Sequence, residues 1–428
     1  MRVLIATLGS SGDVHPFLGI GRALAQRGHV VSICTNPYFQ PLVERSGLRF
    51  RALGHEAEFR AVMDDPALWS PRTSLKTLWN AVSPQVRPLF DLVAREADDD
   101  TVVIGSLWAF GARLAQEKLG VRYLSAQVSP STILSASRPP VHPRFRLLRE
   151  APLAVRSACI RVIDSVLLDR VFRPLLDGVR RDLGLAPTGG VLSRWVHSPQ
   201  GVLGLFPDWF APQQFDWPRP FHSCGFPLFD AGDHAELDFE LQEFLDQGPP
   251  PVVVTPGSTG VHGPAFFEAA VGALRTTGHR AVLLGAQARE VADLPAGLLA
   301  RAYVPMSLLL PHACALVHHG GIGSSALALA AGVPQVVTPF AHDQFDNADR
   351  LQRLGVGETV DRLSAQALAA ALRRVTTDPA VARACFRRRQ QVDSPDAARR
   401  CVAEAVEAVR PRVAAAPPLH LIETHVHS

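Results

Sequence analysis

The stretch ALVHHGGIGSSALALAAGVPQVVTPFAHDQFDNADRLQRLGVG, residues 315–357, decides the fold class of this chain. It opens on a short apolar run that ends at Val317, continues through the turn HHGGIGS, and enters a helical pattern. After Gly332-Val333-Pro334 a second apolar run leads to Asp343-Gln344 and another helical pattern. Apolar runs that alternate with helices in this way predict parallel strands, covered by helices on both faces of a sheet.

The glycine-rich turn has the features of an anion site. Gly320, Gly321 and Gly323 let a ligand approach the backbone closely, and the first turn of the following helix presents free N–H groups. His319 before the glycines and Ser324 at the helix start can both donate to phosphate oxygens. The turn therefore predicts a diphosphate site. It is no P-loop, because GxxxxGK[ST] requires a lysine that this turn lacks.

Asp343 and Gln344 stand where the next predicted strand passes into a helix. A carboxylate accepts hydrogen bonds and an amide also donates them, so the pair can bracket vicinal hydroxyls. This pairing predicts a sugar next to the diphosphate. The alternative is that Asp343 caps the helix over residues 344–354, and the two roles are compatible.

The same alternation of apolar runs and helical patterns occurs in both halves of the chain and predicts an α/β fold of two doubly wound, Rossmann-like domains. We predict strands at residues 3–8, 30–34, 48–52, 102–105, 123–126 and 202–206, and then at 252–255, 281–284, 300–304, 315–318 and 335–338. We predict helices at residues 16–27, 74–97, 109–119, 152–169, 172–183, 236–245, 264–276, 324–331 and 344–354. Open parallel sheets bind ligands at the carboxyl ends of their strands, so two facing sheets would form one cleft for two substrates.

The pattern also predicts where the domains begin and end. Residues 1–225 form an N-terminal domain with a helical insertion over about residues 129–198, where the Pro-rich stretch SASRPPVHPRF leads into two amphipathic helices. Residues 226–250 are a linker that ends in Gly-Pro-Pro. Residues 251–410 form the C-terminal domain, and residues 411–428 are a tail without a clear period.

Composition bounds the function further. The 428 residues carry a net charge of +3, too balanced to indicate a nucleic-acid partner. No apolar run approaches the roughly 18 residues that span a bilayer, and the N-terminus lacks the order of a signal peptide, so we expect a soluble, cytoplasmic protein. The six cysteines are scattered without CxxC spacing, so we expect reduced thiols, no zinc site and no disulfide framework.

The motifs HHGGIGSS, AAGVP and PFAHDQFDNA, with GSSGDVHPF near the N-terminus, resemble the GT-B glycosyltransferases of family 1. That family includes plant secondary-metabolite, sterol and antibiotic glycosyltransferases. The resemblance implies a GT-B fold in which the N-terminal domain binds the acceptor and the C-terminal domain binds a UDP- or dTDP-sugar. It implies a hexosyltransferase without a cofactor.

The resemblance assigns the donor to a set of residues in the second half of the chain. These are His319, Gly320, Gly321, Gly323 and Ser324 at the diphosphate, Ser258 and Thr259 at further phosphate contacts, Asp343 and Gln344 at the sugar ring, and Tyr303 and Val304 at the base. Plant members stack the base on a tryptophan, whereas this chain has Tyr303. That departure leaves both thymine and uracil open.

Asp13 follows the first predicted strand and the small-residue turn GSSG. The family's motif places the catalytic residue at this position, where a carboxylate in reach of the acceptor hydroxyl can take its proton. Because a helix N-terminus and His319 can stabilise the departing diphosphate, we expect no metal requirement. Two alternatives stay open: Asp13 only caps the helix that begins near His15, or His15 is the base.

Further segments, among them DDPALWSPRTSLKTLWNAV and HSPQGVLGLFPDWFAPQQFDWPRP, resemble the rhamnosyltransferases that make mono-rhamnolipids, over roughly residues 1–406. This implies inverting transfer of L-rhamnose from dTDP-rhamnose to the hydroxyl of a 3-(3-hydroxyalkanoyloxy)alkanoic acid. Such an acceptor calls for an apolar trough, and a trough open to solvent favours loose, peripheral attachment to the inner membrane.

The side chains expected at the acceptor are aromatic or apolar, with one histidine. They are His15, Trp69, Trp79, Trp108, Phe110 and Ile133, with Leu107, Val128 and Leu134 in the same trough. An arginine such as Arg138 or Arg144 would meet the acceptor carboxylate. The alternative is that the aromatic and aliphatic side chains simply fill the core.

Three other functions stay open on the sequence. A glycosyltransferase of the same family could use UDP-glucose on a sterol, polyketide or carotenoid acceptor. A sugar-nucleotide epimerase of the same fold would need several acids in the cleft. A catalytically inactive partner subunit that binds sugar nucleotide or lipid would not need Asp13, His319 and Asp343-Gln344 together.

Overall fold

The computed structural model describes residues 1–230, 232, 235–257, 263–291 and 294–409, with the side chains of all of these except residues 144–147. Within these ranges the chain forms a seven-stranded sheet and a six-stranded sheet, in which every pair of neighbouring strands is parallel. The predicted fold class, two doubly wound α/β domains, is confirmed.

The first sheet has the strand order β3-β2-β1-β4-β5-β6-β7. Its strands are β1 (Arg2–Ala6), β2 (Val30–Thr35), β3 (Arg49–Ala52), β4 (Thr101–Gly105), β5 (Arg122–Gln127), β6 (Val202–Gly204) and β7 (Phe221–Ser223). Ile5 of the central strand lies opposite Ile33 and Ile104. The order reverses at β1, so the turn after β1, which carries Asp13, opens at a switch point of the sheet.

The second sheet has the strand order β10-β9-β8-β11-β12-β13. Its strands are β8 (Val252–Thr255), β9 (Ala281–Leu284), β10 (Leu298–Arg301), β11 (Ala315–His318), β12 (Gln335–Val337) and β13 (Gly357–Thr359). Here the order reverses between β8 and β11. The loop after β8, which contains Gly257, therefore corresponds to the Asp13 turn after β1, and the glycine-rich turn after β11 lies on the other side of this switch point.

Sixteen α-helices lie in the described part of the chain. They are α1 (Ser11–Gln26), α2 (Gln40–Arg45), α3 (Glu56–Met63), α4 (Ser74–Val82), α5 (Val86–Glu96), α6 (Phe110–Leu119), α7 (Leu153–Val162), α8 (Asp169–Asp182), α9 (Phe239–Asp246), α10 (Gly263–Thr277), α11 (Met306–Leu309), α12 (Ile322–Ala331), α13 (Gln344–Arg353), α14 (Ala365–Thr377), α15 (Pro379–Gln391) and α16 (Pro395–Ala408).

Alternation along β1 assigns a core to each face of the first sheet. Val3 and Ile5 pack with the apolar face of α1, whereas Leu4 and Ala6 pack with α5 and α6 on the opposite side. Because both faces are buried at the central strands, β1 and β4 read as continuous apolar runs and could be predicted from the sequence, whereas the partly exposed edge strand β7 was not predicted.

Three helical predictions differ from the structure. The helix predicted over residues 16–27 begins at Ser11, so Asp13 lies in its first turn. The helix predicted over residues 74–97 is broken by a 3₁₀ turn at Ser83–Gln85, because Pro84 has no N–H to continue the α-helix. The helices predicted at residues 152–169 and 172–183 form one nearly continuous rod instead, in which a π-helical segment (Ile163–Leu168) joins α7 to α8.

The last helix, α16, returns to the first domain and packs beside α1. Val402 and Val406 join the core that contains Val3 and Ile5. Glu407 accepts hydrogen bonds from Arg27, directly after α1, and Cys401 is bonded to Cys224. The bonded pair corrects the expectation that the cysteines are all reduced. The extent of the C-terminal domain, residues 251–410, stays a prediction. Within that range, α16 packs against the first domain.

The two domains also meet through an apolar cluster and a set of buried charges. Ile133 and Phe206 of the first domain pack in one cluster with Ile322 and Leu351 of the second. Asp346 on α13 accepts hydrogen bonds from the Val141 N–H at 3.0 Å, Arg149 at 3.1 Å and Arg350 at 2.6 Å. These contacts tie the insertion of the first domain to the second domain.

Candidate active site

A cleft of about 1220 Å³ lies between the carboxyl ends of the two sheets. Its wall contains residues that follow β1, β4 and β5 of the first sheet and β8, β11 and β12 of the second. The predicted site residues that line it are Asp13, His15, Trp69, Trp108, Tyr303, Val304, His319, Gly321, Gly323, Ser324, Asp343 and Gln344. Ser258 and Thr259 lie outside the described residues.

Asp13 stands in the first turn of α1 and both caps that helix and lines the cleft. Its Oδ2 accepts hydrogen bonds from the Ser10 N–H at 2.9 Å and from the Ser10 hydroxyl at 3.2 Å. Both bonds fall on Oδ2, so Oδ1 takes part in neither. The capping alternative is thus correct for one oxygen, while the other oxygen is available to a ligand.

Burial is the main cause that raises the pKa of the Asp13 carboxyl to about 7. The hydrogen bond from the Ser10 N–H opposes this increase, and the charge of Asp343 in the second domain adds to it. A carboxylate that titrates near neutrality suits a general base, because both protonation states are accessible at working pH.

His15 follows Asp13 by two residues on α1 and also lines the cleft. Burial lowers the pKa of its imidazole, and Asp230 of the linker opposes that change. Its ring packs edge-to-face on Phe229, with the ring centroids 6.1 Å apart. His15 therefore interacts with Phe229 and Asp230, on the linker side of the cleft.

The glycine turn is held by the buried imidazole of His318. Its Nδ1 accepts a hydrogen bond from the Gly320 N–H at 3.2 Å, so Nε2 carries the proton and donates to Gln335 Oε1 at 3.0 Å. Gly320 has φ +92°, and a Cβ there would lie 2.8 Å from Val337 Cγ1. Glycine is therefore required at this position. Gly320 supports the turn from behind and is absent from the described cleft wall.

His319 points its ring into the space between the turn and the loop after β8. Burial lowers the pKa of the imidazole to about 4, so the ring is neutral, and its buried Nδ1 has no hydrogen-bond partner among the described residues. Gly257 has φ +72°, and a Cβ there would lie 2.1 Å from His319 Cε1. Sequence reasoning missed Gly257, which the stretch TPGST after β8 contains.

Asp343 precedes α13, but its side chain makes no capping hydrogen bond to that helix. Instead its Oδ2 accepts from Asn347 Nδ2 at 2.8 Å. Burial raises the pKa of the Asp343 carboxyl to about 6, and hydrogen bonds from Asn347 and Ser129 oppose the increase. The Asp343 side chain therefore does not cap α13, and the capping alternative is wrong. The Asp343 carboxylate instead has hydrogen-bond partners in Asn347 and Ser129.

Gln344 uses its amide oxygen to hold the loop that precedes it. Oε1 accepts from the Phe340 N–H at 2.7 Å and the Ala341 N–H at 3.0 Å. The amide NH₂ group is then the part of Gln344 that can serve a sugar hydroxyl. His342, just before the pair, has φ +55° and packs edge-to-face on Trp69 of the first domain.

Asn347 is a site residue that sequence reasoning missed. Its buried Nδ2 donates both to Asp343 and to the Gly320 carbonyl, the latter at 3.0 Å, and its Oδ1 accepts from Ser129 at 3.4 Å. One side chain thus joins the glycine turn, the predicted sugar contact and the first domain. The i, i+4 spacing of Asp343 and Asn347 on a helix was the signal that could have revealed it.

Tyr303 lines the cleft and is linked to the interdomain segment. Its hydroxyl donates to the Asp230 carbonyl, and the Asp230 carboxylate accepts from the Ser307 N–H at 2.7 Å and the Ser307 hydroxyl at 2.9 Å. Burial raises the pKa of the Tyr303 phenol to about 12. Val304 beside it is buried and also lines the cleft.

Comparison with known proteins agrees with this geometry. Residues 3–137 match the Glycosyltransferase family 28 N-terminal domain, and residues 273–409 match the Erythromycin biosynthesis protein CIII-like, C-terminal domain. The chain is 32% identical over 397 residues to O-mycaminosyltylonolide 6-deoxyallosyltransferase of Streptomyces fradiae, a match that covers 89% of this chain and 91% of the relative. The chain belongs to the GT-B glycosyltransferases of family 1. It transfers a sugar from a nucleotide sugar to an acceptor.

Other relatives differ in acceptor. The glycosyltransferase is 30% identical over 433 residues to vancomycin aglycone glucosyltransferase of Amycolatopsis orientalis, covering 97% of this chain and all of the relative. It is 26% identical over 428 residues to sterol 3-beta-glucosyltransferase of Komagataella phaffii, where the match covers 95% of this chain but 34% of that enzyme. The chain thus spans about a third of the length of the sterol enzyme it matches.

Solved structures share the fold of this glycosyltransferase. The glycosyltransferase of kitacinnamycin superimposes with a TM-score of 0.72 at 22% identity, over 96% of this chain and 99% of that one. VinC, solved in complex with dTDP, superimposes with a TM-score of 0.68 at 22% identity, over 95% and 99% of the two chains. At this identity the likeness shows the fold, and the GT-B prediction is confirmed.

Three predicted acceptor residues of the glycosyltransferase are core residues instead. Trp79 and Phe110 are buried in the cluster behind the first sheet, where Trp79 packs on both Phe110 and Phe172. Ile133 is buried in the cluster between the domains. None of the three is in the described cleft wall, because close-packed neighbours cover them. Trp69 and Trp108 do line the cleft, as do Leu107, Val128 and Leu134.

An apolar wall of the cleft is built from other residues, contributed by the segment around α4 and by the insertion. It comprises Leu75, Leu78, Ile160, Ile163, Leu167, Leu168, Val171 and Leu192. Sequence reasoning missed these residues because their alternation along helices looks the same as core packing. Arg138 is absent from the described wall, and the side chain of Arg144 lies outside the described side chains.

Neither a metal cluster nor a membrane span is found in the described parts of the glycosyltransferase. No group of three or more His, Cys, Asp or Glu side chains there could hold a metal ion. No helix among the described residues combines the length and apolar character that crossing a bilayer requires.

Proposed function

We propose that this glycosyltransferase moves L-rhamnose from dTDP-rhamnose to the hydroxyl of a 3-(3-hydroxyalkanoyloxy)alkanoic acid and so makes a mono-rhamnolipid. The observation that carries the proposal is that one cleft joins three elements: Asp13, the glycine turn with His319, and the apolar wall. A donor anion site, a base and a surface for alkyl chains are the three parts that this reaction needs. The acceptor binds mainly to residues 1–225 and the donor mainly to residues 251–410.

Donor binding starts at the glycine turn. The N–H groups of the first turn of α12 and the neutral imidazole of His319 donate to the diphosphate, which also supplies the missing partner for the buried Nδ1. Ser324 adds a hydroxyl, and Ser258 and Thr259 are proposed as further phosphate contacts. Tyr303 and Val304 hold the base, while Asp343 and Gln344 bind hydroxyls of the sugar.

Sugar transfer is a single displacement at the anomeric carbon. The acceptor oxygen attacks that carbon from the side opposite the diphosphate, its proton passes to Asp13, and the nucleoside diphosphate leaves toward α12. Attack from the opposite side inverts the configuration. The helix N-terminus and His319 offset the charge that develops on the leaving group, so the step as proposed does not require a divalent metal ion.

The choice of a 6-deoxy sugar and a lipid rests on two kinds of support. The Streptomyces fradiae relative is named for transfer of a 6-deoxy sugar, and rhamnose is a 6-deoxyhexose. The apolar wall suits alkyl chains, and several segments outside the donor signature resemble the mono-rhamnolipid enzymes. A sterol acceptor with UDP-glucose is the second candidate, because the sterol enzymes are relatives and the same wall suits a sterol.

The deciding experiment incubates the purified protein with each donor and each acceptor in turn. dTDP-L-rhamnose and UDP-glucose are paired with 3-(3-hydroxydecanoyloxy)decanoic acid and with ergosterol, and products are identified by mass spectrometry. We expect a rhamnosylated hydroxy-acid dimer that is absent with Asp13→Asn. Glucosylated sterol as the main product would establish the second candidate, and no transfer in any pairing would favour an inactive partner subunit.

A further inference from the structure

The helical insertion has an outward face that other elements leave uncovered. Six large apolar side chains along residues 153–175 are more than a third exposed, and Val162 reaches 57%. They are Leu153, Val155, Val162, Val166, Leu167 and Leu175. We call this set the insertion face. Such a concentration on one helical rod is unusual for a surface that meets only water.

The charges on this rod are sorted by sign. Its two carboxylates between residues 153 and 172 are buried and turned inward: Asp169 accepts from the N–H groups of Gly190 and Val191 at 2.9 and 3.0 Å, and Asp164 accepts from Ser193. Arg161 and Arg170 are exposed. Over these residues the outward side therefore carries apolar groups and positive charge.

The opposite side of the same rod forms part of the apolar wall. Ile160, Ile163, Leu168 and Val171 line the cleft, and Leu167 both lines it and is 51% exposed. Leu167 therefore marks a rim where the insertion face and the cleft meet. An apolar molecule on the insertion face can therefore contact a residue that also lines the proposed acceptor site.

We propose that the insertion face rests on an anionic lipid surface, from which the acceptor lipid enters the cleft past Leu167. An amphipathic helix with apolar and basic residues on its outward side lies in the plane of a membrane interface. Arg161 and Arg170 select negatively charged headgroups. The entry route rests on the proposed function, whereas the lipid contact stands on the face itself.

The test measures binding of the full-length chain to vesicles by co-sedimentation. Vesicles of phosphatidylcholine alone are compared with vesicles that contain 30% phosphatidylglycerol, at low and high salt. We expect binding to the anionic vesicles that weakens with salt. Arg161→Ser with Arg170→Ser should lower the partition coefficient by at least tenfold, since each arginine near such a surface contributes about fivefold.

A second variant, Val162→Glu with Val166→Glu, should abolish binding because it puts charge into the apolar half of the face. Phe386→Glu, a charge placed on another exposed apolar side chain, on α15 of the second domain, should bind as the unmodified chain does. None of these four insertion positions lines the cleft, so transfer to a short-chain, water-soluble acceptor should continue.

The proposal would be overturned if both double variants bound anionic vesicles as well as the unmodified chain does. It would also be overturned if the unmodified chain bound neutral and anionic vesicles equally. Absence of vesicle binding together with self-association that Val162→Glu removes would overturn it too, since the face would then join two copies of the chain. A chain that binds vesicles as expected but transfers no sugar would count against the proposed function and leave the insertion face standing.

Discussion

The glycine turn, residues 318–324, and the apolar wall both line one cleft, yet they are built by different means. The turn is fixed by directional hydrogen bonds: the Gly320 N–H donates to the His318 imidazole, and the Asn347 amide on α13 donates to the Gly320 carbonyl. The apolar wall is assembled from non-directional surfaces that come from α4 and from the insertion. The chemistry of transfer therefore depends on specific atoms, and acceptor choice depends on shape.

The greatest effect is expected where the two sides meet, at Asp13. Asp13→Asn keeps an oxygen for the Ser10 hydrogen bonds but cannot take a proton, so kcat should fall by about 10²- to 10⁴-fold. Initial rates with saturating donor and acceptor measure this. A loss below threefold would show that another group, His15 first among them, is the base.

The same variant has an opposite effect on stability. Because the folded state raises the pKa of the Asp13 carboxyl from 3.8 to about 7, the unfolded chain loses this proton first as the pH rises, so stability is lost between about pH 4 and about pH 7. Asp13→Asn should then be more stable by about 1–2 kcal/mol at pH 8, allowing for partial exposure, with no gain below pH 4. Chemical denaturation at the two pH values tests the sign.

On the donor side, Asn347→Ala should lower kcat/KM for the nucleotide sugar by about 10- to 100-fold, because it removes the Asn347 hydrogen bonds to the Gly320 carbonyl and to Asp343. The effect should fall on the KM of the donor and leave that of the acceptor little changed. Losing the Asn347 hydrogen bond should also raise the pKa of Asp343 further. Gln352→Ala, at an exposed position of the same helix, is the control. Equal losses for donor and acceptor would indicate general misfolding.

On the acceptor side, Leu78→Ala should lower kcat/KM about tenfold for a long-chain acceptor and leave the donor KM unchanged, since it removes apolar contact area from the wall. The neighbouring Trp79→Phe should cost about 1–3 kcal/mol of stability without changing the preference for chain length, because Trp79 is in the core. Reversed results for the two positions would contradict the assignment of the wall.

The smallest effect is the pH dependence of the unmodified enzyme near neutrality. The base must be ionised to accept a proton, and the pKa of Asp13 is raised to about 7. We expect kcat/KM to fall about twofold from the plateau at pH 7 and about tenfold at pH 6, with Asp343 adding to the loss below pH 6. A rate that is flat from pH 8 to pH 5.5 would exclude Asp13 as the base.

From the sequence alone, residues on the donor side of this site could be predicted. The glycines, His319 and Asp343-Gln344 can be recognised in the sequence because each has a specific chemical role at a fixed place in a strand–turn–helix unit. Trp79, Phe110 and Ile133 were misassigned because periodicity predicts that a side chain is apolar and turned inward but not whether its neighbour is another side chain or a cavity. Asn347 was missed because its role requires three segments to meet in space.

The crossing of α16 has a practical consequence for anyone who recombines enzymes of this kind. An exchange cut at the linker would bring in a foreign last helix, and with it new partners for Val3, Ile5 and Arg27 in the half meant to be kept. A better splice has two joints, one near residue 250 and another near Ser394, so that the final helix travels with the half it packs against.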